Sequence, residues 1–141
     1  MKHLLKTVGH LLTPIVVVMI AVLSLKPLDD QTLMPLFPYA DKVFHFLAYG
    51  ALACVMLWSM SKASDTRSYN DVIRENWISI ILVFSISLII GISLELVQPV
   101  FGRYYELGDI VANAIGSIAG LAVSVAIMVL THIYGEKDAS V

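Results

Sequence analysis

The chain has 141 residues, of which 58% are hydrophobic and 14% are charged, and its formal net charge is −2. This composition is far more apolar than that of a soluble domain, so it predicts an integral membrane protein with no room for a separate soluble catalytic domain. The near-neutral charge and the absence of a basic stripe argue against nucleic acid as a partner. The single cysteine, Cys54, lies in an apolar segment and cannot form an internal disulfide.

Four apolar segments follow one another along the chain, and each is long enough for a membrane-spanning helix, which needs about 20 residues. The first has a lysine-containing flank like that of a signal peptide, but no small-x-small cleavage site precedes Lys26, so we interpret it as a retained helix. A proline-rich connector at 34–39 is typical of an ordered segment at the membrane interface. Pro99 is expected to end the third helix and Gly135 the fourth.

The predicted fold class is all-α: a polytopic membrane protein in which residues 1–141 form a single four-transmembrane-helix bundle. The polar segment 61–76 is predicted to be a cytoplasmic connector between the second and third helices. The predicted helices cover about 5–25, 42–60, 77–98 and 109–134.

Basic residues predict the orientation, because short loops rich in lysine and arginine stay in the cytoplasm. Three basic residues fall on one side of the predicted helices, namely Lys26, Lys42 and Arg103. The other six fall on the opposite side, namely Lys2, Lys6, Lys62, Arg67, Arg74 and Lys137. Both termini are therefore predicted to be cytoplasmic.

Polar residues enter the apolar segments near the end predicted to face away from the cytoplasm, and no polar group is expected to continue to the cytoplasmic side. An ionisable group costs roughly 2.5–3.5 kcal/mol near the bilayer centre, so several converging on one face indicate a site. On the second helix, Asp41, His45 and Tyr49 are spaced four apart and form a stripe, with Lys42 beside it.

The third and fourth helices are predicted to bring further polar groups to the same depth. Glu95 and Gln98 occupy the last turns of the third helix, and Arg103 lies in the connector that follows. On the fourth helix the glycines of a small-xxx-small step let another backbone approach closely, which draws the polar groups of that helix inwards. The stripe on the fourth helix consists of Asp109, Asn113, Gly116 and Gly120.

This set of residues offers acid, base, cation and amide groups in one shell. We predict catalytic roles for His45, Glu95 and Asp109. Ligand binding is predicted for Lys42, Tyr49, Gln98, Arg103 and Asn113, with Arg103 as the chief contact of an anionic head group. Structural roles are predicted for Asp41, Gly116 and Gly120. A histidine with two carboxylates can hold a divalent metal, but this spacing across three helices is not a recognised metal motif, so no metal site is predicted. The sequence does not identify a cofactor.

The same residues carry a resemblance to a known family. The block Asp-Lys-x-x-His-x-x-x-Tyr at 41–49, the block Glu-x-x-Gln at 95–98, and the series of Arg, Asp, Asn and two Gly residues within 103–120 resemble the VanZ-like family of small bacterial membrane proteins. The resemblance implies a multi-pass protein of the bacterial inner membrane. The family's namesake is associated with reduced susceptibility to the glycopeptide teicoplanin, which implies a role in the cell envelope.

Three functions remain open from the sequence. In the first, the site binds or modifies an anionic, lipid-linked envelope molecule, with a link to glycopeptide susceptibility. In the second, the polar cluster only locks the helices together, and activity belongs to a membrane protein partner. In the third, the chain is a small transport or proton-coupled element, for which intramembrane glutamate and histidine are familiar parts.

Overall fold

The computed structural model describes residues 2–26, 39–61 and 68–137. Every regular element in these ranges is helical, and each of the four long helices is apolar enough to cross a membrane, as predicted. The proline-rich connector at 34–39 lies almost entirely outside the described residues, as do Lys62 and Arg67. The elements are α1 (Lys2–Leu25), α2 (Ala40–Met60), α3 (Tyr69–Val97), a 3₁₀ helix (Gln98–Phe101) and α4 (Leu107–Lys137).

Helix α3 begins at Tyr69, earlier than the predicted Trp77, so the prediction of a connector up to residue 76 is wrong over its last part. Hydropathy reports which residues suit the membrane, whereas a helix extends wherever its backbone hydrogen bonds and packing continue. Here the polar first turns pack through Val72 and Asn76, which are 4% and 1% exposed. The side-chain amide of Asn76 donates to the carbonyl of Val72 over 3.1 Å.

The predicted end of the third helix lies close to the observed end, whereas the predicted end of the fourth helix does not. Helix α3 ends at Val97, and the 3₁₀ helix that contains Pro99 closes at Gly102, whose φ of 78° is a conformation that favours glycine. Helix α4 instead passes through Gly135 to Lys137, so the predicted stop there is wrong. An isolated glycine costs a helix only about 1 kcal/mol, and it ends one only when the backbone turns left-handed.

Helix α2 is the centre of the bundle. It packs most extensively against α4 and next against α1, while α3 packs mainly against α4. Its apolar span is 44% buried within the protein, against 17% for α1, so α1 presents most of its surface to the surroundings. The core includes Tyr49, Leu52 and Leu57 of α2, packed with Val83 of α3 and Leu121 of α4.

Two glycines of α4 allow the close approach of α2. A Cβ atom at Gly120 would overlap the backbone carbonyl of Gly50, and one at Gly116 would overlap the carbonyl of Phe46. The backbone that approaches the small-xxx-small step is therefore that of α2. This contact places the polar residues of the two helices side by side.

The four helices define two ends of the bundle. The Arg103 end contains the end of α1, the start of α2, the end of α3 and the start of α4, since Arg103 Nη1 donates to the carbonyl of Leu23 over 3.4 Å. The Ser59 end contains the opposite helix ends, where a Cβ atom at Gly9 would lie 2.5 Å from the backbone nitrogen of Ser59. The predicted polar site lies at the Arg103 end.

The orientation stays a prediction, and reporter fusions test it. We expect alkaline phosphatase to be inactive when it is fused after Val141 and active when it is fused after Leu36, because the basic residues keep the Ser59 end in the cytoplasm. A green fluorescent protein fusion at the same two points is the control, with the opposite pattern. Phosphatase activity after Val141 at a normal protein level contradicts the predicted topology.

Candidate functional site

The structure brings the polar residues of three helices and one connector together at the Arg103 end. Five of them are nearly fully buried: Tyr49, Glu95, Gln98, Asp109 and Asn113 are 1%, 1%, 0%, 2% and 1% exposed. The start of α2, the end of α3 and the start of α4 supply most of the side chains because these three helix ends lie together. We call the whole group the polar cluster; it consists of Asp41, Lys42, His45, Tyr49, Glu95, Gln98, Arg103, Glu106, Asp109 and Asn113.

His45 lies at the centre of the polar cluster. Its Nδ1 is 3.0 Å from Oδ1 of Asn113, and with the amide in this orientation Nδ1 carries the hydrogen, while Asn113 Nδ2 is buried without a hydrogen-bond partner among the described residues. The other ring nitrogen, Nε2, faces three carboxylates, lying 3.8 Å from Asp41, 3.9 Å from Glu95 and 3.7 Å from Asp109. These separations exceed hydrogen-bond length, so Nε2 is not bonded to any of the three carboxylates.

Glu95 is held by the segment that follows it. Its Oε1 accepts from the side-chain amide of Gln98 over 2.9 Å, and its Oε2 is 3.5 Å from the backbone nitrogen of Glu106. The other amide atom of Gln98, Oε1, is buried and has no hydrogen-bond partner among the described residues. The inner part of the polar cluster therefore contains an acceptor oxygen in need of a donor or a cation.

Lys42 pairs with two carboxylates of α4 and its preceding turn. Its Nζ is 2.6 Å from Glu106 Oε2 and 3.2 Å from Asp109 Oδ1. Glu106 was not predicted as a site residue. The signal for it was available, because it precedes Asp109 by three residues and acidic side chains are favoured at a helix start.

Arg103 is also engaged inside the protein. Its Nη2 is 3.6 Å from Asp41 Oδ1, its Nη1 contacts the carbonyl of Leu23, and its side chain is only 11% exposed. The polar cluster contains four carboxylates and two such cations. With His45 neutral and the carboxylates ionised, the polar cluster carries a formal excess of two negative charges.

Tyr49 and Gly91 lie next to His45 and Asn113 on the buried side of the polar cluster. The Tyr49 ring is nearly parallel to that of His45, with an interplanar angle of 8° and centroids 6.5 Å apart. A Cβ atom at Gly91 would lie 2.9 Å from Asn113 Nδ2 and 3.2 Å from Tyr49 Cε1, so glycine gives both side chains room against α3. Gly91 was not predicted either, although it precedes Glu95 by four residues and shares its helix face.

Hydroxyl groups continue from the polar cluster into the bundle, although no polar group was predicted beyond the one end. Ser87, Ser117 and Ser124 are 0%, 1% and 0% exposed. Ser117 donates to the carbonyl of Asn113 over 2.8 Å, and Ser124 lies 3.4 Å from that of Cys54. The prediction that no polar group extends beyond one end is therefore wrong for hydroxyls and for the buried amide of Asn76, while the buried carboxylates and imidazole of the described residues all belong to the polar cluster.

A scan against models of protein families, a search of curated proteins and a search of solved structures each find no match. The resemblance to the VanZ-like family therefore stays a prediction. The site's chemistry is that of its own groups: an imidazole nitrogen facing carboxylates, two internally paired cations, and a buried amide oxygen.

Proposed function

We propose that the polar cluster binds, and possesses the groups to modify, the anionic head group of a lipid-linked cell-envelope molecule in the bacterial inner membrane. The observation that supports this proposal most is the burial of His45, Glu95 and Asp109 at one end of four apolar helices. At such an end a lipid places its polar head beside the polar cluster and its chain along the helices.

The polar cluster is open at its outer edge and closed within. Asp41 and Glu106 have side chains 49% and 52% exposed, and that of Lys42 is 33% exposed, whereas Glu95 and Asp109 lie beneath them. A head group entering from the surface first meets exposed charged groups and then the imidazole. While no cation occupies the polar cluster, His45 Nε2 is the group suited to accept a proton from it, with the buried carboxylates stabilising the resulting imidazolium.

Arg103 is already paired with Asp41, so an anionic group has to displace Asp41 in order to bind the guanidinium. Because Asp41 is half-exposed and 3.6 Å from Nη2, this ion pair is worth little, and a phosphate can replace it. The guanidinium then offers two parallel donors to the phosphate oxygens. Lys42 is held more closely by its two carboxylates and is the secondary contact.

Lipid retention tests the proposed function. We expect mass spectrometry of the purified protein to find a phosphate-bearing or carboxylate-bearing lipid, with retention reduced about tenfold in Arg103→Ala and less in Arg103→Lys, which keeps charge but loses the planar fork. Arg74→Ala, at an exposed position on the first turns of α3, is the matched control. Equal retention by all four proteins at matched levels contradicts a binding role for Arg103.

A structural role is the second candidate, and the ion pairs favour it. Lys42 connects α2 to Asp109 of α4, and Arg103 connects the start of α2 to the end of α1. In this case His45→Gln and Glu95→Gln lower the melting temperature together with lipid retention. Under the binding function, retention falls in variants that keep their melting temperature.

A proton-coupled role has less support, because Ser117 donates its hydroxyl to a backbone carbonyl and no buried carboxylate lies beyond the polar cluster among the described residues.

A further inference from the structure

Three potential metal ligands converge inside the polar cluster. One atom each of Asp41, His45 and Asp109 lies within 4.8 Å of the other two, and His45 Nε2 is 3.8 and 3.7 Å from the two aspartate oxygens. Ligands at roughly 2.0–2.2 Å from one ion are separated by about 3–4 Å, so His45 Nε2 already lies at ligand spacing from each aspartate oxygen, and the two aspartate oxygens lie within 4.8 Å of each other. Asp41, half-exposed in the first turn of α2, has the freedom to close the remaining distance.

We propose that Asp41, His45 and Asp109 bind one divalent cation, of which Zn²⁺ is the best match to one imidazole and two carboxylates, and that this cation contacts the head group. Three protein ligands leave a coordination position open, as in catalytic zinc sites. The head-group contact rests on the proposed function; cation binding does not.

The surroundings of His45 are those of a metal-ligating histidine. Such a residue donates its second ring N–H to a carbonyl or carboxylate, which directs the free nitrogen towards the metal. His45 Nδ1 donates in this way to Asn113 Oδ1 over 3.0 Å, and the stacked Tyr49 ring limits rotation of the imidazole. Nε2 is thus presented as an electron-pair donor towards the carboxylates, which accept hydrogen bonds but cannot supply one while ionised.

An independent observation comes from Gln98. Its Oε1 is buried without a partner among the described residues, while its Nε2 is bonded to Glu95 Oε1, the oxygen that lies 3.9 Å from His45 Nε2. The amide of Gln98 therefore places an unsatisfied acceptor next to Glu95, which adjoins His45. A water that held the open position of the cation before a head group bound would donate to such an acceptor.

Charge balance favours a dication as well. The polar cluster has a formal excess of two negative charges, and an unpaired buried charge is costly at the low dielectric of a membrane interior. A divalent cation cancels this excess. It also removes the main electrostatic obstacle to an anionic head group, because the phosphate then meets a cation beside Arg103.

Metal titration without a histidine tag tests the inference. Detergent-purified protein is stripped with a chelator and titrated with ZnCl₂ and with MnCl₂ by calorimetry, and bound metal is counted by mass spectrometry. We expect one equivalent of Zn²⁺, with affinity reduced at least tenfold in His45→Ala and in Asp41→Asn, and likewise reduced in Asn113→Ala through the lost orientation of the imidazole. His10→Ala, which removes an exposed imidazole on α1, is the matched control and keeps wild-type affinity.

Asp41→Asn keeps the inference testable if His45→Ala fails to fold, because Asp41 is half-exposed at a helix start. Absence of Zn²⁺ and Mn²⁺ binding by folded wild-type protein, or equal affinity in the Asp41 and His45 variants, overturns the cation site. Metal binding without any retained anionic lipid supports the cation site and overturns the proposed function. Lipid retention that is unchanged by the chelator overturns the contact between cation and head group.

Discussion

Replacing Gly120 by leucine is expected to prevent stable folding. A Cβ atom there overlaps the backbone carbonyl of Gly50, and a backbone cannot move aside as a flexible side chain can. The two helices that form the largest contact of the bundle must separate, which lowers the free energy of unfolding by about 3 kcal/mol. The expected result is loss of most of the protein from the membrane fraction, with Gly120→Ala intermediate.

The matched control is Ala122→Leu, on the same helix at an exposed position. It also adds an apolar side chain to α4, but not between α4 and α2, so its level should equal that of the wild type. Thermal melting of both variants in the same detergent measures the difference. A Gly120→Leu protein as stable as Ala122→Leu contradicts the close helix contact.

Replacing Lys42 by methionine is expected to have the second large effect. The change leaves Asp109, only 2% exposed, without its cation, and removing one partner of a buried pair costs about 3–5 kcal/mol. Because the Lys42 side chain is 33% exposed, we expect a smaller loss, about 2 kcal/mol, in the free energy of unfolding. Denaturant unfolding in mixed micelles gives the measurement.

The two carboxylate partners of Lys42 allow a sharper test. Glu106 is closer to Nζ than Asp109 is, 2.6 Å against 3.2 Å, but its side chain is 52% exposed. Solvent screening limits exposed pairs to about 0.2–1 kcal/mol, so burial should outweigh distance. Double-mutant cycles of Lys42→Met with Asp109→Asn and with Glu106→Gln should give the larger coupling for Asp109. A coupling to Glu106 that equals or exceeds it contradicts this ranking.

Much of the polar cluster was predictable because its pattern is local. Asp41, His45 and Tyr49 share a helix face through their spacing of four, and Asp109 and Asn113 share one for the same reason. Glu106 and Gly91 were missed although the same periodicity places them. Glu106 pairs with Lys42, and Gly91 adjoins Asn113. Both partners belong to other helices, and the residue pattern within one helix does not report distances between helices.

The sequence by itself determined the four apolar helices and the end of the bundle where the polar groups gather, because hydropathy and helical periodicity act within one segment. Only the tertiary structure decided that Arg103 pairs with Asp41, that Lys42 pairs with Glu106 and Asp109, and that four carboxylates meet two cations in the polar cluster. These outcomes depend on how far each helix is rotated and how closely its neighbour approaches. That approach is set by the contact of α4 with the α2 backbone, which local sequence patterns do not encode.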